Sequence, residues 1–257
     1  MKTLYIIPVF LIFFSLSIYA QDTTMVYFDK DWEEISNKDN ASFYRKAFKS
    51  SDDLWMAYDY YLSGKIQMKS TFKSGKYKKL QGLATYYFEN GKKSSEGNML
   101  NNLKTGNWTL WHETGEVSQK GRYEKGQMMG LWQGWYTNGH RKYFTMYEYG
   151  ERSGSWEYYY ESGELKERNT YTNDITFLCE GFYKNSSDKY IGTIQGGAKH
   201  GAWTYWNEEG RIHSEGHFKY GVKVLLWTRY FKEGKMEMYY KDGIIEGKQF
   251  GGVVRRN

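Results

Sequence analysis

Short runs of alternating aromatic and polar residues, separated by glycine-containing dipeptides, recur along most of the chain. In the run Trp156 to Tyr160, the first, third and fifth residues share one face of an extended strand, and the two between them take the other face. Aromatic residues favour strands, and dipeptides such as Asn90-Gly91 and Asn138-Gly139 are typical of hairpin turns. The pattern predicts an all-β chain.

The runs belong to a repeat of about 24 residues, in which a Gly-x-Trp-x-x-aromatic phrase is followed nine residues after its first glycine by a second glycine. The constancy of that second glycine implies a position that requires φ > 0 and at which a Cβ would clash. We assign the following residues as structural repeat positions: Gly82, Gly91, Gly106, Trp108, Gly115, Gly130, Trp132, Gly139, Gly154, Trp156, Gly163, Gly201, Trp203, Gly210, Trp227 and Gly234.

The repeat is interrupted once, between residues 172 and 200. The step from Gly154 to Gly201 is 47 residues, one short of two units, so this stretch is a degenerate repeat and not an inserted domain. A fixed period across most of a chain indicates an array of supersecondary units. We expect an extended antiparallel meander of tandem β-hairpins over residues 54–250, after a leader segment at 21–53 and before a tail at 251–257.

Within each hairpin, alternation places the tryptophan and the aromatic residue three positions later on opposite faces. One face then supplies the core, and the aromatics of the other face either belong to the core as well or present a surface to a partner, where Tyr and Trp are enriched. The candidate partner-binding aromatics are Trp111, Trp135, Tyr159, Trp206 and Tyr230.

The N-terminus has the order of a cleavable secretory signal. Lys2 is followed by an apolar run from Leu4 to Phe14 and then by small and polar residues up to Ala20. The apolar run is shorter than an ordinary membrane span, so we expect a signal peptide at 1–20 with cleavage after Ala20. The expected location of the mature chain is periplasmic, outer-envelope associated or extracellular, and an uncleaved N-terminal anchor is the alternative.

The formal net charge is +6, with acidic and basic residues interspersed. No run reaches the block length that indicates a polyanion-binding tail, which together with export argues against a nucleic-acid partner. The single cysteine, Cys179, cannot form an intramolecular disulfide and is interpreted as a small buried apolar residue.

The sequence predicts no catalytic residues, no metal site and no cofactor. His213 and His217 would share one side of a helix, but on a strand they lie about 13 Å apart, too far to share one ion. Adjacent carboxylates such as Glu208 and Glu209 point to opposite faces of a strand and do not converge as a general acid and base. His112 and His140 are interpreted as exposed polar residues near turns.

Units such as Gly106-Asn107-Trp108, Gly115 and Tyr123-Glu124-Lys125-Gly126 resemble the bacterial variant of the MORN repeat, a type found in antitoxin-like proteins. The resemblance covers about residues 54–171 and 201–247. It implies a non-enzymatic scaffold or binding module, in some relatives linked to lipid contact or self-association. We therefore expect an exported scaffold that binds a protein or glycan partner in the cell envelope, with an antitoxin-like immunity protein as the alternative.

Overall fold

The computed structural model describes residues 24–49, 54–73, 79–173 and 175–251. These residues form twenty β-strands and one short 3-10 turn, Lys38–Asn40. The leader and the first hairpins contain β1 (Thr24–Phe28), β2 (Glu34–Ile35), β3 (Phe43–Lys49), β4 (Trp55–Tyr61), β5 (Ile66–Phe72), β6 (Gln81–Tyr87) and β7 (Lys93–Leu100). The middle of the array contains β8 (Leu103–Trp111), β9 (Val117–Glu124), β10 (Gln127–Trp135), β11 (Arg141–Glu148), β12 (Glu151–Tyr159), β13 (Leu165–Asn173) and β14 (Thr176–Phe182). The last strands are β15 (Asp188–Gln195), β16 (Ala198–Trp206), β17 (Ile212–Lys219), β18 (Val222–Phe231), β19 (Gly234–Lys241) and β20 (Ile244–Gly251).

From β3 to β20, every strand pairs antiparallel with the next strand along the chain. The leader strand β1 pairs with β3 and also with β2, so the described residues form one 20-stranded sheet. The prediction of an all-β antiparallel meander of tandem hairpins is confirmed. Among the described residues, no helix is long and apolar enough to cross a membrane.

The two ends of the strands carry different turns. At one end the N–H of Gly91 donates to the carbonyl of Phe88, and the N–H of Phe88 donates to the carbonyl of Lys92. These bonds close a three-residue loop that ends in a left-handed glycine (φ 85°). At the other end Lys125 (φ 48°) and Gly126 (φ 84°) are both left-handed, as in a two-residue type I′ turn. From β6 to β13 these two turns alternate, so the chain reverses after each of these strands.

The glycines of the three-residue loops, among them Gly91 and Gly139, have the predicted positive φ. A Cβ at Gly91 or Gly139 would meet nothing within 4 Å. The requirement at these loops is therefore one of backbone conformation and not of space.

The leader is joined to the array by a buried ion pair. Arg45 in β3 makes two hydrogen bonds with the carboxylate of Asp59 in β4, at 2.6 and 2.8 Å. Its guanidinium carbon also lies 5.1 Å from the ring centroid of Phe28 and 4.7 Å from that of Phe72. Asp59 is 1% exposed, so strands from the leader and from the array share one polar contact inside the sheet.

Candidate binding surface

A column of buried tryptophans runs along one face of the sheet. Trp108, Trp132, Trp156, Trp203 and Trp227 are all at most 3% exposed. Each indole Nε1 donates to the main-chain carbonyl ten residues earlier on the preceding strand, at 3.0 to 3.2 Å. These bonds satisfy the one polar group of each ring, and the predicted core role of the tryptophans fits this burial.

The first glycine of the repeat phrase creates the acceptor for that bond. Gly106 lies inside β8 with φ 65°, and the β7–β8 register shifts between Gly97 and Asn98. Such a bulge takes one backbone group out of the ladder. The carbonyl of Asn98 accepts the indole N–H of Trp108 at 3.2 Å, so the glycine, the bulge and the tryptophan act as one structural unit.

A further set of glycines, which sequence reasoning missed, gives the tryptophans their space. A Cβ at Gly97 would lie 2.4 Å from the Trp108 ring, and one at Gly121 would lie 2.1 Å from the Trp132 ring. A Cβ at Gly192 would lie 2.1 Å from the Trp203 ring, and one at Gly216 would lie 2.3 Å from the Trp227 ring. The signal was present as a glycine fifteen residues after Gly82, Gly106 and Gly201.

Cations cover the outer side of this aromatic face. Lys104 Nζ lies 4.5 Å from the ring centroid of Trp108, and Lys199 Nζ lies 4.5 Å from that of Trp203. Lys223 takes the same place over Trp227 at 4.3 Å. Burial lowers the pKa of Lys104 and of Lys223, but contact of a cation with a ring face is favourable.

The five aromatics predicted to bind a partner, here called the aromatic ladder (Trp111, Trp135, Tyr159, Trp206 and Tyr230), are all half-buried. The Tyr159 hydroxyl donates to Glu157 at 2.6 Å, and the Tyr230 hydroxyl donates to Glu215 at 2.6 Å. Glu157 directly follows the buried Trp156, so its side chain takes the other face of β12. These contacts fit the expected side of the sheet, and partner binding by the ladder stays a prediction.

The main chain of the ladder is held by the preceding repeat. His112 Nε2 lies 3.0 Å from the carbonyl oxygen of Trp135, and the Tyr136 hydroxyl donates to the carbonyl of Tyr159 at 2.8 Å. The Tyr183 hydroxyl donates to the carbonyl of Trp206 at 2.9 Å. The interpretation of His112 as an exposed polar residue is therefore wrong, since it is half-buried and links two repeats.

An open groove lies beside Trp206. Its volume is about 610 Å³, and Tyr183, Lys189, Lys199 and His213 line it with that tryptophan. This is within the usual size range of small-ligand sites. The groove places one ladder residue next to cationic and aromatic side chains.

The two histidines of the His213-x-x-x-His217 spacing lie on a strand, as predicted. His213 and His217 both lie on strand β17, where residues four apart are separated by about 13 Å. Across the residues that the structure describes, no group of three His, Cys, Asp or Glu side chains could hold a metal ion. His140 is exposed, as predicted, and its Nδ1 lies 2.8 Å from the carbonyl oxygen of Glu161.

The stretch predicted to be a degenerate repeat contains β14 and β15. Cys179 in β14 takes the place of a tryptophan in the buried column and is 7% exposed. Burial, with a contribution from the nearby Glu167 carboxylate, raises the pKa of its thiol to about 12. A neutral buried thiol is not a nucleophile, which agrees with the structural interpretation of this cysteine.

The family described as the MORN repeat variant matches four segments of the chain, residues 80–101, 152–173, 199–220 and 232–250. A comparison with curated proteins gives no match. The first three matched segments span β6–β7, most of β12 with β13, and most of β16 with β17, in each case two strands joined by a three-residue loop. In these four hairpins the chain is similar to tandem MORN repeats, a type that forms repeat scaffolds and binding modules.

Proposed function

We propose that this chain is a non-enzymatic, exported scaffold whose aromatic ladder binds an extended polysaccharide of the cell envelope. The observation that carries the proposal is the recurrence of a half-buried aromatic side chain at the same place in successive hairpins. Neighbouring strands are about 4.8 Å apart, so equivalent residues of successive hairpins are about 10 Å apart. A regular row of rings suits a polymer that repeats its own structure, since each ring can meet an equivalent unit.

The fixed main chain of the ladder supports this proposal. A segment whose main chain is already fixed loses less conformational entropy on binding. Trp135, Tyr159 and Trp206 each have their carbonyl bonded to the preceding hairpin. Tyr and Trp also offer a large apolar face together with one polar group, which suits a sugar ring and its hydroxyls.

The test is retention of the purified mature chain on insoluble polysaccharides, with purified peptidoglycan, chitin and cellulose as probes. We expect Trp111→Ala and Trp206→Ala each to weaken retention by about fivefold or more, since loss of an anchoring aromatic costs over about 1 kcal/mol. Tyr149→Ala is the matched control, because Tyr149 is an aromatic residue at a turn, 64% exposed and outside the ladder.

Unchanged retention of both tryptophan variants would rule out the ladder as the binding surface. Capture of a protein from a periplasmic extract, with no retention on any polysaccharide, would replace the glycan by a protein partner. Export itself rests on residues 1–20, which lie outside the described residues, and mass spectrometry of the mature N-terminus checks it. The antitoxin-like alternative stays a prediction, and an adjacent toxin gene would favour it.

A further inference from the structure

The buried tryptophan column is broken at one place, and two substitutions coincide there. In the strand register of the sheet, Cys179 pairs with Asn169. The equivalent pairs in other repeats are Gly97 with Trp108 and Gly192 with Trp203. In this pair an asparagine thus replaces the glycine that makes room for a ring, and a cysteine replaces the tryptophan. The β13–β14 register also continues through this pair without a bulge.

An open groove lies at this break. Its volume is about 670 Å³, within the range of small-ligand sites. Asn169 and Cys179 line it together with Arg152, Tyr158, Glu167 and Phe177. The groove is therefore bordered by aromatic rings on the same face that the tryptophans fill elsewhere in the array.

Asn169, which lines the groove, has a buried hydrogen-bond acceptor that lacks a partner among the described residues, its Oδ1 atom. Asn169 is 6% exposed. Its Nδ2 donates to Glu167 Oε1 at 2.9 Å, and the Tyr190 hydroxyl donates to Glu167 Oε2 at 2.6 Å. Rotating the amide would bring its oxygen against that carboxylate, so the contact with Glu167 fixes the orientation that leaves Oδ1 unpaired.

An unpaired buried acceptor is destabilising, and a hydrogen-bond donor from a ligand would remove that cost. The tryptophans of the neighbouring repeats are the appropriate comparison, because each presents an apolar ring and one N–H to an acceptor. A ring-shaped ligand with an N–H or O–H group would thus supply the apolar ring and the hydrogen-bond donor that a tryptophan supplies in the neighbouring repeats.

The rim of the groove selects for negative charge. Its charged lining residues are Lys142, Arg152 and Lys166, all exposed, and the half-buried Glu167. Three cations against one carboxylate leave an excess of two positive charges. An anionic substituent on the ring would meet the lysines at the exposed side of the groove.

We propose that the groove at the Asn169–Cys179 pair binds a small aromatic acid, whose ring takes the place of the missing tryptophan and whose donor bonds Asn169 Oδ1. The groove opens on the tryptophan face and its lining also includes Tyr159 of the aromatic ladder, so binding of the small acid and retention on polysaccharide are measured separately. The same chemistry could come from a tryptophan side chain of a peptide, but the groove has the dimensions of a small-molecule site.

Isothermal titration calorimetry of the mature chain tests the site with three probes: indole-3-acetate, its N-methyl derivative and neutral indole. We expect indole-3-acetate to bind best, N-methylation to weaken binding about tenfold through loss of the bond to Asn169, and removal of the carboxylate to weaken it severalfold. Equal affinity of the first two probes, or no binding of any probe, would overturn the proposal. Binding of a tryptophan-containing peptide without binding of indole-3-acetate would also overturn it.

Two variants locate the site. Cys179→Trp fills the place of the missing ring and should abolish binding, whereas Tyr149→Ala, at a turn outside the groove, should bind indole-3-acetate as the natural chain does. Asn169→Gly should reduce affinity for indole-3-acetate to that of the N-methyl probe and should remove the difference between the two. This second result decides the matter if Cys179→Trp does not fold. Retention of Asn169→Gly on polysaccharide should be unchanged, which separates this site from the ladder.

Discussion

Leu225 stands at the position that Gly201 takes one repeat earlier, and both residues are left-handed, with φ 58° and 70°. The bulge is kept in both repeats, since the β17–β18 register shifts between Glu215 and His217 and the β15–β16 register between Gly192 and Thr193. The backbone thus keeps the conformation that the tryptophan bond requires even where a leucine must adopt it. A non-glycine residue held there costs of the order of 1–3 kcal/mol.

Leu225→Gly should therefore stabilise the chain. The leucine is 61% exposed, so little apolar burial is lost, and part of the gain is offset by the greater entropy of glycine in the unfolded state. We expect a net gain of about 1 kcal/mol in the free energy of unfolding, measured by urea titration. The control is Leu226→Gly, whose φ is not left-handed, and this variant should lose about 1 kcal/mol. Equal effects of the two substitutions would show that Leu225 is not strained.

Two glycines of one hairpin region should respond differently to alanine. At Gly121 a Cβ would lie 2.1 Å from the Trp132 ring, whereas at Gly139 it would meet nothing within 4 Å and only the left-handed φ of 84° opposes it. Gly121→Ala should cost about 3 kcal/mol or more through overpacking, and Gly139→Ala about 1–2 kcal/mol. Thermal or urea unfolding gives both values. If Gly139→Ala were the more damaging variant, ring packing on glycine would not be the main constraint.

The all-β meander could be predicted from the sequence, because the features that indicate it lie close together along the chain. Glycines such as Gly91 mark loops that depend on φ alone, and a fixed period implies stacked units. The role of Gly97 could not be obtained in the same way, since it depends on the ring of Trp108 across a strand pair whose register includes a bulge. Likewise, Cys179 was recognised as a buried residue, but its pairing with Asn169 follows only from the unbulged register of β13 and β14. No chemical signal in either residue alone indicated a groove.

The Asp59–Arg45 pair should be important for attachment of the leader. Asp59→Ala leaves the Arg45 guanidinium without its carboxylate partner, and the Arg45 side chain is only 12% exposed. We therefore expect the free energy of unfolding to fall by about 3–5 kcal/mol. Glu246→Ala is the control, because its partner Lys241 and Glu246 itself are 71% and 58% exposed, and the loss there should be under about 1 kcal/mol. Chemical denaturation measures both. Similar small losses for the two variants would mean that the buried pair does not hold the leader strands to the array.

Cys179 should be unreactive in the native chain. Burial raises the pKa of its thiol to about 12, so the reactive thiolate is scarce at pH 8, and the side chain is 7% exposed. We expect slow modification by a thiol reagent in buffer and rapid, stoichiometric modification in guanidinium chloride, followed by absorbance. Rapid modification of the native chain would indicate that β14 opens readily. Cys179→Ala serves as the blank.

Stability should fall at alkaline pH through two tyrosines of the tryptophan face. Burial, with neighbouring tyrosine hydroxyls adding to it, raises the pKa of Tyr143 to about 12 and, despite the opposing charge of Arg152, that of Tyr158 to about 12. The unfolded value is about 10, so the folded state favours the neutral phenols; their contribution is complete below pH 10 and is lost as the pH rises through 12. Phenolate absorbance should show these two groups ionising above the ordinary range of tyrosine but before Tyr190, whose pKa burial and the Glu167 carboxylate raise further, with the free energy of unfolding decreasing over the same interval. In Tyr143→Phe/Tyr158→Phe the decrease should be smaller, since phenylalanine has no proton to lose. An identical pH dependence in the double variant would assign the alkaline transition to other groups.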